Sequence, residues 1–385
     1  MKIGTFHFTE NKWLTIAGQE VREGDSLLFP DPVAAEMALK YRRWVTLSDV
    51  DPYYRKYDGH DLTGKSLLLF RYGGWGDLLF LTPLLRYLDT RYPGHGGLVV
   101  ACGRQYESIY AHNPHVRRVL TYPVRLSEFE RHDYHLFFEG TLETSADPDL
   151  HAVDLFARHA GVGDVGDRRL DFAVPEADAA KAKNILRNEL LFQKNDPRPL
   201  VGIHVHASSP VRNYPPDRTL ALARELVAAG CLVLLLGSAR DRAEADSAYK
   251  EGPPLMDLYN LCGRFKTMAL TAAIVARLDL LVGPDSSLVH VAGALDVPTV
   301  ALYGPFPGAV RTRYYPRCVT LEGEAPCAPC FTHGHDPCPK AGADGASPCL
   351  LTLESPAIAR VVLDTLARHT RRPGLSLPEV AAVAA

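Results

Sequence analysis

A single carboxylate interrupts an apolar stretch of the sequence directly after a cluster of glycines. The segment FRYGGWGDLLFLTPLL places Asp77 between Gly73, Gly74 and Gly76 on one side and a hydrophobic run on the other. An aspartate at such a point can cap the N-terminus of a helix. It can equally act as a general base for a substrate hydroxyl. The spacing alone leaves both interpretations open.

A second polar group follows the apolar strand-like run DLLVGP. Asp285, Ser286 and Ser287 stand where this run gives way to a helical pattern, and His290 follows three residues later. Backbone N–H groups, hydroxyls and the positive end of a helix dipole suit a phosphate. The alternative is an ordinary Ser/Asp N-cap with a histidine satisfied inside the fold.

A third group lies in the loop after VGIHVHA, where SSPVR places Ser208, Ser209 and Arg212. The Arg212 guanidinium offers two parallel donors that match a diphosphate, although a solvated loop charge is the alternative. Glu139 ends the predicted strand YHLFFE and is a candidate for the acceptor side of a cleft. A solvated strand terminus would explain it as well.

Four cysteines crowd one loop that is rich in Gly and Pro. Cys327, Cys330, Cys338 and Cys349 are spaced C-x2-C-x7-C-x10-C. Four thiolates at such spacing can surround a tetrahedral metal, so the loop predicts a structural Zn or Fe site. Disulfides or free thiols are the alternatives, and His333 or His335 could replace one ligand. Cys102, Cys231 and Cys262 are predicted as small core residues.

The elements that position these groups alternate between apolar strands and helices. Runs such as KSLLLF, GLVVAC, VGIHVHA and CLVLLLG read as strands buried on both faces of a parallel sheet. The sequence therefore predicts an α/β protein with two doubly wound, Rossmann-like halves, whose ligands bind beyond the carboxyl ends of the strands. The predicted segments are a small β-containing extension (1–60), a first domain (61–193), a second domain (200–353, with the cysteine loop at 318–349) and a C-terminal crossover helix and tail (354–385).

Composition excludes several classes of function. The 385 residues carry a formal net charge of −3, which gives no basic footprint for nucleic acid. The sequence starts without the apolar region of a signal peptide and contains no run long enough to span a membrane. We expect a cytoplasmic protein, with peripheral membrane association and oligomerisation left open.

A dehydrogenase would need GxGxxG after the first strand of a half, and neither half has it.

Three segments together resemble glycosyltransferase family 9, the ADP-heptose:lipopolysaccharide heptosyltransferases. They are GGWGDLLFLTPLLRYL, SSPVRNYPPDRTLALARELVAAG and DSSLVHVAGALDVPTVALYGP, which stand in the order and spacing of that family. The resemblance runs from about residue 65 to residue 370. It implies a GT-B fold with the nucleotide sugar bound mainly by the carboxyl-terminal half.

The resemblance also implies roles for individual residues. Asp77 matches the proposed general base, and Arg212 matches the basic residue at the donor diphosphate. The remaining donor-side assignments are Gly76 without a closer role, Ser208 and Ser209 near the phosphates, Asp241 at the ribose, and the block Asp285, Ser286, Ser287 and His290. The family commonly has glycine at the position of Ser287.

These roles imply an inverting transfer of heptose from ADP-heptose to an acceptor hydroxyl. Asp77 would take the hydroxyl proton, while Arg212 and the helix start at Ser286 stabilise the departing ADP. No DxD pair stands at a strand end, so no catalytic divalent metal is expected. The cysteine loop resembles the iron-binding finger of bacterial autotransporter heptosyltransferases, which implies protein Ser/Thr as acceptor in place of a lipopolysaccharide core sugar. A GT-B nucleotide-sugar epimerase and a non-catalytic nucleotide-sugar-binding scaffold are the alternatives.

Overall fold

The computed structural model describes residues 1–8, 13–143, 145, 147–193, 195–243, 245–246, 256–332, 334, 336–342 and 345–369. The chain divides into two compact units, Met1–Arg168 and Arg169–Ala385. Within the described ranges, no helix is both long and apolar enough to cross a membrane.

The first unit contains two sheets of four strands and a short hairpin. Its strands are β1 (Lys2–Phe6), β2 (Leu14–Ile16), β3 (Gln19–Val21), β4 (Ser26–Phe29), β5 (Val45–Asp49), β6 (Ser66–Phe70), β7 (Gly97–Cys102), β8 (Arg118–Thr121), β9 (Val124–Arg125) and β10 (Tyr134–Phe137). Its helices are α1 (Asp31–Lys40), α2 (Trp75–Phe80), α3 (Thr82–Arg91), α4 (Leu126–Phe129) and α5 (Ala152–His159).

The N-terminal extension forms an antiparallel sheet in the order β5-β1-β4-β9. Its last strand, Val124–Arg125, comes from the part of the chain that was assigned to the first domain. The extension is thus built into the first unit by backbone hydrogen bonds. A core that includes Ile3, Leu28, Leu68 and Phe70 joins the extension to the neighbouring parallel sheet.

The second sheet of the first unit is parallel, in the order β10-β6-β7-β8. Its central strands are fully buried Leu, Val and Ala runs, as strands covered on both faces must be. The first strand, β6, lies between β10 and β7. The carboxyl ends of β6 and β10 therefore lie side by side at one edge.

In the described part of the second unit, six strands form one parallel sheet flanked by helices. Its strands are β11 (Leu200–His204), β12 (Leu232–Leu236), β13 (Leu258–Asn260), β14 (Leu280–Pro284), β15 (Thr299–Tyr303) and β16 (Cys318–Glu322). Its helices are α6 (Glu176–Asn188), α7 (Pro216–Ala228), α8 (Met268–Val275), α9 (Ser287–Ala294), α10 (Gly308–Arg311), α11 (Pro348–Leu351) and α12 (Ser355–His369).

The strand order of this sheet, β13-β12-β11-β14-β15-β16, reverses direction between β11 and β14. This is the strand order of a Rossmann sheet, in which ligands bind outside the carboxyl ends of the strands at the reversal point. Cys231 and Cys262 are buried in the core of this unit and Cys102 in the first, which confirms them as core residues.

The compact units divide at a point upstream of the predicted limit between the two domains. Helix α6 packs against α8, so the chain divides after Arg168 and upstream of the expected linker at 193–200. Helix α12 packs its apolar face on α7 and on the core of the second unit through Ile358, Val362 and Leu366. Its role as a crossover helix remains a prediction, and residues 370–385 lie outside the described ranges.

Candidate active site

The turn after β6 delivers Asp77 to the start of α2. Gly74 is the N-cap residue of α2, with a φ of +87°, and Asp77 is the third residue of the helix. A Cβ at Gly74 would lie 2.5 Å from Asp77 Oδ2, so only glycine lets the chain turn beneath this carboxylate. Because Gly74 holds the N-cap position, Asp77 is not a capping residue. Gly76 is the second residue of the helix.

Arg71 is a buried guanidinium that binds this carboxylate. It follows directly after β6, and its side chain is 4% exposed. Its Nη2 donates to Asp77 Oδ2 at 2.6 Å and to Glu143 Oε1 at 2.8 Å. Its Nη1 donates to the carbonyl oxygen of Phe138 at 2.9 Å. The Asp77 side chain remains 30% exposed, so its carboxylate is held firmly and still reaches solvent.

Glu139 lies beside the same guanidinium, one residue after the Phe138 carbonyl. Its Oε1 accepts the backbone N–H of Tyr72, and its Oε2 is 3.8 Å from Arg71 Nη1. Burial raises the pKa of Glu139, although Arg71 opposes the shift. Burial would raise the pKa of Glu143 as well, but its hydrogen bonds with Arg71 hold that pKa below the ordinary value. Three carboxylates thus surround one guanidinium.

In the second unit, the ends of β12, β11 and β14 lie along one edge of the sheet. Asp241 follows β12, accepts the backbone N–H of Ser238 and contacts His206 Nδ1 at 3.1 Å. Burial would raise the pKa of Asp241, but the bonds from His206 and Ser238 lower it. Asp241, the loop after β11 and the start of α9 therefore belong to three neighbouring strands.

Arg212 lies on a short 3₁₀ turn in the loop after β11. Its Nη2 donates to Ser208 Oγ at 3.0 Å, and its Nη1 donates to Asp285 Oδ2 at 3.4 Å. The Nε atom of Arg212 and the Oγ atom of Ser209 are buried without a hydrogen-bond partner among the described residues. Buried polar atoms of this kind ordinarily have a partner, which can be an ordered water or a bound ligand.

Asp285 and His290 are buried together behind Arg212. Burial favours the neutral carboxyl, but Arg212 and Arg311 hold the pKa of Asp285 below its ordinary value. Burial lowers the pKa of His290 to about 4, so its imidazole is neutral at pH 7. His290 Nδ1 lies 2.8 Å from Tyr315 Oη, and its Nε2 lies 3.9 Å from Asp285 Oδ1.

The start of α9 has an N-cap serine that does not cap. Ser286 is the N-cap residue and Ser287 the first helical residue, yet the Ser286 side chain makes no capping hydrogen bond. The Ser286 hydroxyl instead lies 2.6 Å from His204 Nδ1. The backbone N–H of Val289 donates to the carbonyl oxygen of Ser286, so the N–H groups of Ser287 and Leu288 are the ones that another acceptor could bind.

Four functional candidates were missed from the sequence alone: Arg71, Glu143, His204 and His206. Arg71 and His204 stand at the carboxyl end of a predicted buried strand, where a charged or polar residue is a signal in itself. Nothing in the sequence indicates a role for Glu143, because it lies in a loop. Its role is visible only from its hydrogen bonds with Arg71 in the structure.

In the predicted metal loop, Cys327, Cys330 and Cys338 each lie within electrostatic range of Cys349. Burial raises the pKa of Cys349, and the charges of Cys327, Cys330 and Cys338 raise it further. The backbone N–H groups of Cys330 and Phe331 both donate to the carbonyl oxygen of Pro305. Among the described residues, no three His, Cys, Asp or Glu side chains are arranged to hold a metal ion. His333 and His335 lie outside the described residues.

Comparison with known proteins gives one family. The family model described as glycosyltransferase family 9 (heptosyltransferase) matches residues 151–338. Lipopolysaccharide heptosyltransferase 2 of Salmonella typhimurium is 34% identical over 117 residues, which are 30% of this chain and 33% of that protein. The alignment thus spans about a third of the length of this curated relative.

Two solved structures share the fold. A family 9 glycosyltransferase from Veillonella parvula superposes with a TM-score of 0.63 at 18% identity, covering 80% of this chain and 99% of the other. The dodecameric iron-containing heptosyltransferase TibC of enterotoxigenic E. coli, in complex with ADP-D-β-D-heptose, superposes with a TM-score of 0.55 at 14% identity, covering 95% and 91%. The predicted GT-B fold class is confirmed. Through the match over residues 151–338 and this fold, the chain resembles glycosyltransferase family 9.

Proposed function

We propose that the protein is an inverting glycosyltransferase that moves heptose from ADP-heptose to an acceptor hydroxyl. The observation that carries this proposal is Arg212, whose guanidinium is held between Ser208 and Asp285 with its Nε unpartnered among the described residues. This group and the uncapped start of α9 offer convergent N–H donors to a diphosphate. The relatives named above supply the expectation that the sugar is a heptose.

The donor side would use the neighbouring ends of β12, β11 and β14. Arg212, Ser208, Ser209, Ser286, Ser287 and the α9 N–H groups would bind the diphosphate, and Asp241 would accept a ribose hydroxyl. Asp285 and His290 would hold Arg212 in place from behind. As the glycosidic bond breaks, negative charge grows on the leaving ADP, and these fixed donors would stabilise it.

The acceptor side would use the carboxylates around Arg71. Asp77 would take the proton of the attacking hydroxyl, because a rigid partner holds its partly exposed carboxylate at a helix start. The acceptor oxygen would form its bond to the sugar carbon on the face opposite ADP while the bond to ADP breaks, and this single displacement inverts the configuration at that carbon. Glu139 would contact the acceptor or support the turn at Tyr72. Gly76 would lie close to the sugar.

The acceptor is either a lipopolysaccharide core sugar or a protein Ser/Thr hydroxyl. The relatives named lipopolysaccharide heptosyltransferases favour the first, and the cysteine loop favours the second. No catalytic divalent metal is required by this scheme, because Arg212 and the helix start take the charge of the diphosphate.

The experiment that tests the donor class is a thermal-shift comparison of ADP, UDP and GDP, followed by ADP-heptose. A ligand raises the melting temperature of the fold to which it binds. We expect ADP and ADP-heptose to stabilise the protein and UDP and GDP to have little effect. Turnover is then measured as ADP release from ADP-heptose with each acceptor class. Stabilisation by ADP without turnover would favour the scaffold, and an isomerised sugar would favour the epimerase.

We also propose a structural Zn or Fe ion at Cys327, Cys330, Cys338 and Cys349. Four thiolates are the donor set that these metals accept in closed, tetrahedral sites. The support is the electrostatic effect of Cys327, Cys330 and Cys338 on Cys349, together with the iron content stated for TibC. Such an ion would fix the loop that is hydrogen-bonded to Pro305, at the end of β15.

A further inference from the structure

His204 and Ser286 form a hydrogen-bonded pair at the point where the sheet of the second unit reverses its order. His204 is the last residue of β11, and Ser286 follows β14, the neighbouring strand. The Nδ1 atom of His204 lies 2.6 Å from Ser286 Oγ. The pair is partly buried and connects the loop that holds Arg212 with the start of α9.

The fold makes room for this imidazole at Gly283. A Cβ at Gly283 would lie 2.9 Å from the Cβ of His204, which is closer than real Cβ atoms approach one another. A side chain at position 283 would therefore displace His204. The position of His204 on β11 therefore requires a glycine at position 283 on the neighbouring strand β14.

The bond to His204 changes what Ser286 does for its helix. An N-cap serine ordinarily accepts a hydrogen bond from an N–H group of the first helical turn. Ser286 occupies the N-cap position of α9 without making that bond within the described chain. Burial lowers the pKa of His204 to about 4, so the imidazole is neutral at pH 7 and has one donor and one acceptor nitrogen.

We propose that His204 is a positioning residue for the donor diphosphate. Its Nδ1–H donates to Ser286 Oγ, which turns the serine hydroxyl proton outward and keeps the hydroxyl away from the N–H groups of α9. Both the hydroxyl and the N–H groups then donate to an anionic oxygen of the nucleoside diphosphate. This inference rests on the proposed function, because it assumes that the nucleotide sugar binds at this helix start.

A double-mutant cycle on ADP binding tests the inference. We expect His204→Phe to weaken ADP binding about ten-fold, which is the loss of one well-placed hydrogen bond to a charged group. Ser286→Ala should weaken it by a similar factor. The double variant should bind no more weakly than Ser286→Ala alone, because the histidine acts only through the serine.

Three further measurements distinguish a positioning role of His204 from a general loss of folded structure in its variants. His204→Asn keeps a donor close to the position of Nδ1, so its ADP affinity should stay within about three-fold of the wild type. Adenosine, which has no phosphate, should bind all variants equally. His159→Phe replaces a partly buried histidine of the first unit and serves as the matched control, with ADP affinity unchanged.

Gly283→Ala provides a second route if His204→Phe fails to fold. It displaces His204 without removing it, and it should weaken ADP binding in the wild type but not in Ser286→Ala. Independent, additive losses from His204→Phe and Ser286→Ala, or an equal loss in His204→Asn, would overturn the inference while leaving the proposed function intact. Failure of the wild type to bind ADP would overturn both.

Discussion

The Nη2 atom of Arg71 donates to Asp77 Oδ2 at 2.6 Å, from a side chain that is almost fully buried. Arg71 directly follows the last residue of β6, and Asp77 lies in the first turn of the helix that comes next. One short turn therefore carries both the carboxylate and the cation that fixes its direction. The same guanidinium holds Glu143, so one rigid group fixes a carboxylate on a helix and a carboxylate in a loop.

Asp77→Asn is expected to lower turnover of ADP-heptose by about a hundred-fold or more, because the amide cannot take the proton of the acceptor. ADP affinity should stay within a few-fold of the wild type, since the donor groups lie in the second unit. Asp217→Asn, which changes another aspartate in the first turn of a helix, is the matched control. Normal turnover in Asp77→Asn would remove Asp77 from the mechanism.

Arg71→Lys should lower kcat and leave ADP affinity unchanged. Lysine keeps the charge but loses the planar fork, so it cannot serve Asp77, Glu143 and the Phe138 carbonyl together. The melting temperature should fall as well, because the buried carbonyl loses its donor. Steady-state kinetics and ligand-free melting check both effects. A kcat equal to that of the wild type would show that the direction of Asp77 does not depend on Arg71.

The sequence was sufficient to predict the parallel sheets, because their strands are continuous apolar runs such as LVLLL at 232–236. It also placed Asp77, Arg212 and Asp285 at strand ends, where polar residues after buried runs are conspicuous. It could not show that β9 joins the N-terminal sheet or that α6 packs on α8, because these contacts are tertiary. The role of Glu143 could not be predicted for the same reason, because it depends on a hydrogen bond with Arg71, which lies far away in the sequence.

Arg212→Met should weaken ADP binding by about ten- to a hundred-fold, as expected when a hydrogen bond to a charged group is lost. Methionine keeps much of the apolar stem, so packing is largely retained. Removing the guanidinium also leaves Asp285 buried without its nearest cation, so the melting temperature should fall. Arg277→Met, at an exposed position of the same unit, is the control. ADP affinity equal in both variants would contradict the assignment of Arg212 to the diphosphate.

Protein purified without chelator should contain close to one equivalent of Zn or Fe by elemental analysis. Cys330→Ser and Cys349→Ser should each lose most of the metal, because a four-thiolate site tolerates no missing ligand. Cys318→Ser, on β16 and outside the proposed ligand set, should keep it. Less than a tenth of an equivalent in the wild type would contradict the site.

Acid should destabilise the fold through buried histidines before it protonates most carboxylates. Burial lowers the pKa values of His132, His135 and His290 to about 4, from 6.5 in the unfolded chain. Between these values the unfolded state binds more protons than the folded state, so the free energy of unfolding falls as pH drops from 6.5 to 4. Each histidine contributes fully above pH 6.5, and its contribution is lost by pH 4. We expect the melting temperature to decline across this window. The decline should be smaller in His290→Gln, whose side chain does not titrate, and equal slopes in the two proteins would show that His290 is not buried in its neutral form.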